Sequence, residues 1–157
     1  MNLSKNFTLD EFTHSDTAIK KGIKNIPDEI SLKNLQLLVS EVLQPLRDKL
    51  GVSININSGY RSPQLNLIIG GVSNSQHMLG QAADTTATGI TIDEYFNFIK
   101  QLVINNELEV DQVIKERGRK LDAETDDWVH VSYRKGNNRN QFLERIIDKG
   151  KYKYITV

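Results

Sequence analysis

Residues Asn57–Asp84 read NSGYRSPQLNLIIGGVSNSQHMLGQAAD. The stretch holds His77, one of only three histidines in the chain, and Asp84 seven residues later. It also holds Arg61, isolated in a Ser-Gly-Tyr-Arg-Ser turn, a Gly70-Gly71 pair, and small residues around Asp84. Just upstream, Val52, Ile54 and Ile56 alternate with Ser53, Asn55 and Asn57, the period of a half-buried strand. That strand runs into Ser58–Pro63, where Gly59 and Pro63 mark a sharp change of direction. Pro63 suits a helical first turn, so a short helix is expected over Gln64–Ile68, broken by Gly70-Gly71. Val72–Gly80 reads as irregular, and a second strand is expected near Gln81–Thr86 with Ala82 and Asp84 on one face.

Working outward, the clearest helix is Asp28–Leu50, where Ile30, Leu35, Leu38, Val39, Val42, Leu43, Leu46 and Leu50 recur near helical spacing. Pro27 is expected at its first position, Pro45 should kink or divide it, and Gly51 ends it. Residues 1–25 read as a packed arm. Within it, Thr8 and Glu11 form a capping box, a short helix starts at Leu9, and the rest is loop with an exposed His14. A second capping box, Thr91–Glu94, opens a helix to about Asn105. Val110–Glu116 and Trp128–Tyr133 are expected strands, joined by the charged loop Arg117–Asp127. On the second of these, Trp128, His130 and Ser132 share one face. Asn137 or Asn138 is expected to cap a last helix reaching Asp148, with Phe142, Ile146 and Ile147 buried, stopped by Gly150. The tail KYKYITV alternates like an edge strand. This order points to an α+β fold with a small antiparallel or mixed sheet flanked by helices.

At 157 residues the chain is expected to be one domain with a core that needs no disulfide. It contains no cysteine, so any metal site must be built from His, Asp and Glu. Twenty basic and twenty acidic residues leave no electrostatic footprint for nucleic acid or an anionic membrane. No apolar run is long enough to cross a bilayer. The N-terminus MNLSKNFTLDEF has no apolar core of a signal peptide. The expectation is a monomer that is cytoplasmic as made and acts elsewhere after release, or a chain expressed without its leader.

Hydrolytic zinc sites are commonly held by three His or carboxylate ligands with one position left for water. His77, Asp84 and His130 could supply such a set, although small residues around an aspartate also fill ordinary tight cores. Three motifs in order carry more weight: Ser58-Gly-Tyr-Arg-Ser62, then Ser75-x-His77-x-x-Gly80-x-Ala82-x-Asp84, then the Trp128-x-His130 strand. Together they resemble the zinc D-Ala-D-Ala carboxypeptidase family of peptidoglycan peptidases, which includes phage endolysins and shares its fold with the Hedgehog signalling domain.

The resemblance implies a single zinc peptidase domain over residues 1–157, holding one zinc ion on His77, Asp84 and His130. It implies that Arg61 binds or polarises the substrate carbonyl or carboxylate, and that Ser75 assists substrate binding or supports the metal loop. The family places a carboxylate three residues before the last histidine, here Asp127, as general base; relatives more often carry Glu there. Glu116 and Asp126 are the alternatives. The implied reaction is D,D-carboxypeptidase or endopeptidase cleavage of peptidoglycan stem peptides. A non-catalytic zinc-containing wall-binding or phage structural module of the same fold, and a dipeptidase for free D-Ala-D-Ala, are the other readings.

Overall fold

The computed structural model describes residues 1–117 and 127–157. Two short helices, α1 (Leu9–Thr13) and α2 (Asp16–Lys21), lead the chain. A long rod follows: α3 (Glu29–Leu38), a wide π turn (Val39–Leu43) and α4 (Gln44–Leu50). Then come β1 (Ile54–Ser58), α5 (Pro63–Ile68), a 3₁₀ turn (Gln76–Leu79) and β2 (Ala82–Ala87). The chain continues through α6 (Ile92–Ile104), β3 (Gln112–Glu116), β4 (Trp128–Ser132), β5 (Gln141–Asp148) and β6 (Lys151–Thr156). Among the described residues no helix is long and apolar enough to cross a membrane.

The strands form one six-stranded sheet in the order β1-β2-β4-β3-β5-β6. Every neighbouring pair is antiparallel except β3 with β5, so the sheet is mixed, as the α+β reading expects. One face packs on the helices. Val113, Val129, Val131 and Phe142 of the sheet join Phe96, Ile99 and Leu102 of α6 and the rod's Leu35, Leu38, Val39, Val42, Leu43 and Leu46 in a single apolar cluster. The alternation along β4 sends Val129 and Val131 into that cluster, leaving Trp128, His130 and Ser132 for the other face.

The rod begins two residues later than Pro27 at the first helical position suggests. Asp28 is the cap, its carboxylate accepting from Ser31 N at 2.7 Å, so Pro27 precedes the cap instead of opening the helix. Pro45 divides the rod as expected, and the division takes the form of the π turn just ahead of it. Proline has no N–H to continue the ladder and its ring crowds the carbonyl four residues back; a widened turn relieves both. Helix α2 falls where the sequence suggests only loop. It is six residues long, capped by Ser15 and stopped by Gly22 at φ 65°.

The expected C-terminal helix is absent: residues 141–156 form a β-hairpin. Lys149 and Gly150 make its two-residue turn with φ of 49° and 76°, the doubly left-handed geometry that suits tight hairpins. Of the side chains expected to be buried on that helix, only Phe142 is; Ile146 is half-buried and Ile147 exposed. The tail is indeed an edge strand, β6.

Candidate metal centre

His77 sits on the 3₁₀ turn between α5 and β2. Ser75 starts that turn, its Oγ accepting from His77 N at 3.3 Å, and Gly80 ends it at φ 67°. Gly80 has no alternative, because a Cβ there would lie 2.2 Å from the Ser31 carbonyl oxygen on α3. The ring is fixed from behind: Nδ1 lies 2.7 Å from the Gly59 carbonyl, which can only accept. That partner assigns a proton to Nδ1 and aims Nε2 at the site.

Asp84 lies on β2, directly across from His130 on β4 and from Ser58 on β1. Strand pairing therefore brings together a carboxylate and an imidazole that are distant in sequence. His130 Nδ1 is 3.1 Å from Asp84 Oδ1, and His77 Nε2 is 3.3 Å from the same oxygen. Ligand atoms of the three residues all lie within 4.8 Å of one another. His77 and Asp84 are buried and His130 half-buried.

Arg61 closes the far side. Its Nη2 donates to Asp84 Oδ2 at 3.1 Å, its Nε donates to Ser58 Oγ at 3.1 Å, and its backbone N–H donates to the His77 carbonyl. Burial lowers the guanidinium pKa and Asp84 partly offsets this. Burial alone would raise the Asp84 pKa; the facing His77 charge and hydrogen bonds from His130 and His77 outweigh it and hold the carboxyl far below its usual range.

Two imidazoles and a carboxylate fit a zinc ion in donor type and number, with no cysteine involved. The local geometry also calls for positive charge. With the Nδ1 proton of His77 committed to Gly59, its Nε2 meets the Asp84 oxygen favourably only through positive charge, carried by a second ring proton or by a cation in its place.

The candidate bases separate in space. Asp127 lies immediately before β4, about a third exposed, with Oδ2 3.4 Å from Arg117 Nη1. The Arg117 guanidinium also reaches Asp93, near the start of α6, and Glu144. Glu116 lies on β3 opposite Trp128, two pairs along from the Ile114–His130 pair, and so on the same face as His130. Tyr154 OH donates to it at 3.0 Å and Arg145 Nε is 3.0 Å away. Burial raises its pKa, and Arg145 and Tyr154 only partly counter this. Asp126 lies outside the described residues.

Sequence reasoning missed three supports. Asn25 ties the N-terminal arm to the Arg61 turn: its amide donates to the Thr13 and Tyr60 carbonyls and its Oδ1 accepts from Ser62 N at 2.7 Å. Gly59 packs against Phe12, where a Cβ would lie 2.6 Å from the Phe12 carbonyl oxygen. Buried Asp111 accepts from Arg139 Nε and Nη2 at 2.8 and 2.7 Å, and from Gln76 Nε2 at 2.8 Å, anchoring the residue next to His77. Asn25 and Asp111 are single polar residues with distant partners, and carry no local signal.

A family model described as Peptidase M15 matches residues 5–132, ending at the last residue of β4. No curated protein matches the chain.

Proposed function

The chain belongs to the peptidase M15 family, a family of metallopeptidases, and we propose that it is a zinc-dependent hydrolase of peptidoglycan stem peptides, acting as a D,D-carboxypeptidase or an endopeptidase. The observation that carries the reading is the convergence of His77, Asp84 and His130 on one point, with Arg61 braced against Asp84 beside them. A zinc ion held there would supply Lewis acidity to a carbonyl and acidity to a water.

The protein's own groups do the rest. Arg61 is held at Nε by Ser58 and at Nη2 by Asp84, so its position is set before substrate arrives. Its remaining donors can take the carbonyl oxygen of the scissile peptide as negative charge develops there. Asp127 takes a proton from the attacking water and returns it to the leaving amine. Its side chain meets Arg117, whose guanidinium also reaches Asp93 on the α6 side of the sheet, so acting as base requires Asp127 to leave that contact between partly exposed groups and reach past the start of β4. Glu116 is a second reading for the base. It is favoured by its position on the same sheet face as His130.

The test is zinc content together with hydrolysis of purified peptidoglycan. The expected result is about one zinc per chain and release of new amino termini or free D-amino acid. Full metal occupancy and activity in His77→Ala or Asp84→Ala would overturn the reading. If Asp127→Ala and Glu116→Gln both leave hydrolysis intact, neither carboxylate is the base.

A further inference from the structure

The sheet face that carries Asp84 and His130 does not end at the metal centre. Cross-strand pairs place Glu116 beside Trp128, Leu143 beside Thr156, Arg145 beside Tyr154, and Ile147 beside Tyr152. Tyr154 OH and Arg145 both meet Glu116, which puts β5 and β6 side chains on the same face as β3 and β4 side chains. The helix α6 packs on β2, β3 and β4 from the opposite side, within the apolar cluster. The result is a floor of aromatic rings leading away from the metal centre toward the sheet edge.

We propose that this strip of Trp128, Tyr154, Tyr152 and Ile147 is a saccharide subsite, holding the N-acetylhexosamine strand of the substrate while an attached peptide reaches the metal centre. The inference rests on the peptidoglycan reading above and adds the part of the polymer that the metal centre does not touch.

Three properties fit a sugar. The outer part of the strip is accessible: Tyr152 and Tyr154 are 47% and 48% exposed and Ile147 beside them 45%, while Trp128 is half-buried. Two of the rings are tied together by one cation, the Arg145 guanidinium, which lies 5.4 Å from the Trp128 ring centre and 4.6 Å from that of Tyr152. Finally, Arg145 is paired to Glu116, so the strip is close to neutral and offers no charge to a charged partner. A pyranose ring presents an apolar C–H face with hydroxyls at its rim, and tyrosine presents an apolar body with a polar tip.

Distance makes the subsite selective for long substrates. Strand β6 is three strands from β4, and neighbouring strands lie about 4.8 Å apart. With the offset along the strands, Tyr154 and Tyr152 stand roughly 15–20 Å from His130. A dipeptide extends over about 7 Å and cannot occupy both ends. The family match stops at residue 132, so the β5–β6 part of the floor lies outside what the match covers.

The experiment uses the full chain with Tyr152→Ser, Tyr152→Phe and, on the opposite face of β6, Lys153→Ser. Co-sedimentation with purified insoluble peptidoglycan is measured with and without an N-acetylglucosamine tetramer. Hydrolysis is measured on the same wall and on a soluble stem pentapeptide. Tyr152→Ser is expected to weaken wall binding about fivefold, the scale of one aromatic contact, and to raise KM on wall with kcat unchanged. Cleavage of the pentapeptide stays at the wild-type rate, Tyr152→Phe and Lys153→Ser bind like wild type, and the tetramer competes. Equal binding by Tyr152→Ser and wild type overturns the subsite. So does a loss in Lys153→Ser as large as in Tyr152→Ser, or failure of the tetramer to compete. If wild type cleaves neither substrate the hydrolase reading falls, while co-sedimentation still decides the subsite.

Discussion

The Gly59 carbonyl holds the His77 ring at 2.7 Å through Nδ1, while the Gly59 Cα faces the backbone of Phe12. One residue thus links the N-terminal arm to the metal centre. A methyl group at position 59 would lie 2.6 Å from Phe12 O and 2.7 Å from Phe12 Cα, so arm or turn must move. Gly59→Ala is expected to lower zinc affinity about 10–100-fold, the usual effect of disturbing a group that orients a ligand. A chelator-competition titration measures this; wild-type affinity in the variant would show that the carbonyl does not orient His77.

Arg61 makes two side-chain contacts with two different acceptors, Ser58 and Asp84. Lysine offers one point charge and cannot span both. Arg61→Lys is expected to keep bound zinc and to lose about a hundredfold in kcat/KM on peptidoglycan. Steady-state kinetics with parallel metal analysis separate this from simple loss of the ion.

Asp127→Asn and Glu116→Gln distinguish the two candidate bases. The side chain that takes the proton should lose about 10²–10⁴-fold in kcat when made neutral, and the other should change little. Asp127→Asn is expected to show the large loss. A large loss confined to Glu116→Gln would assign the role to the carboxylate beside Trp128.

Glu116 also predicts a pH dependence of stability. Its folded pKa is raised above the ordinary 4.5, chiefly by burial. The folded state therefore favours the protonated form, and the stability it contributes is present at low pH and lost as pH rises through the folded pKa. Measured against pH from about 4 to 7, Glu116→Gln should gain stability relative to wild type as pH rises. Parallel urea-denaturation series test this, and a gap that is constant or moves the other way contradicts it.

Much of the framework is legible in local sequence because it is made locally. The Thr91–Glu94 box forms as read, Thr91 N donating to Glu94 Oε2 at 2.9 Å. The Val52–Ile56 alternation, Pro63 and Gly70-Gly71 place β1 and α5 where they are found. What local pattern does not decide is the partner. Gln141–Ile147 carries apolar residues that satisfy helical and strand spacing alike; pairing with β3 and β6 selects the strand. The clearest hint was Lys149-Gly150, a two-residue turn in place of a helix stop.

The site divides the same way. The motifs single out His77, Asp84, His130 and Arg61, and the fold brings these four together. Asn25 and Asp111 do their work through partners as much as 37 residues away, at a range where single-sequence spacing carries no information.

The wide turn at Val39–Leu43 and Pro45 have a joint consequence for how this chain tolerates change. A π turn is a helix with one surplus residue, and the proline is accommodated by that surplus. Deleting a residue there would restore regular winding and drive the proline ring into the carbonyl behind it. Replacing the proline alone would remove the reason for the wide turn. The two features are compensating partners, and substitutions in the rod are accepted together more readily than one at a time.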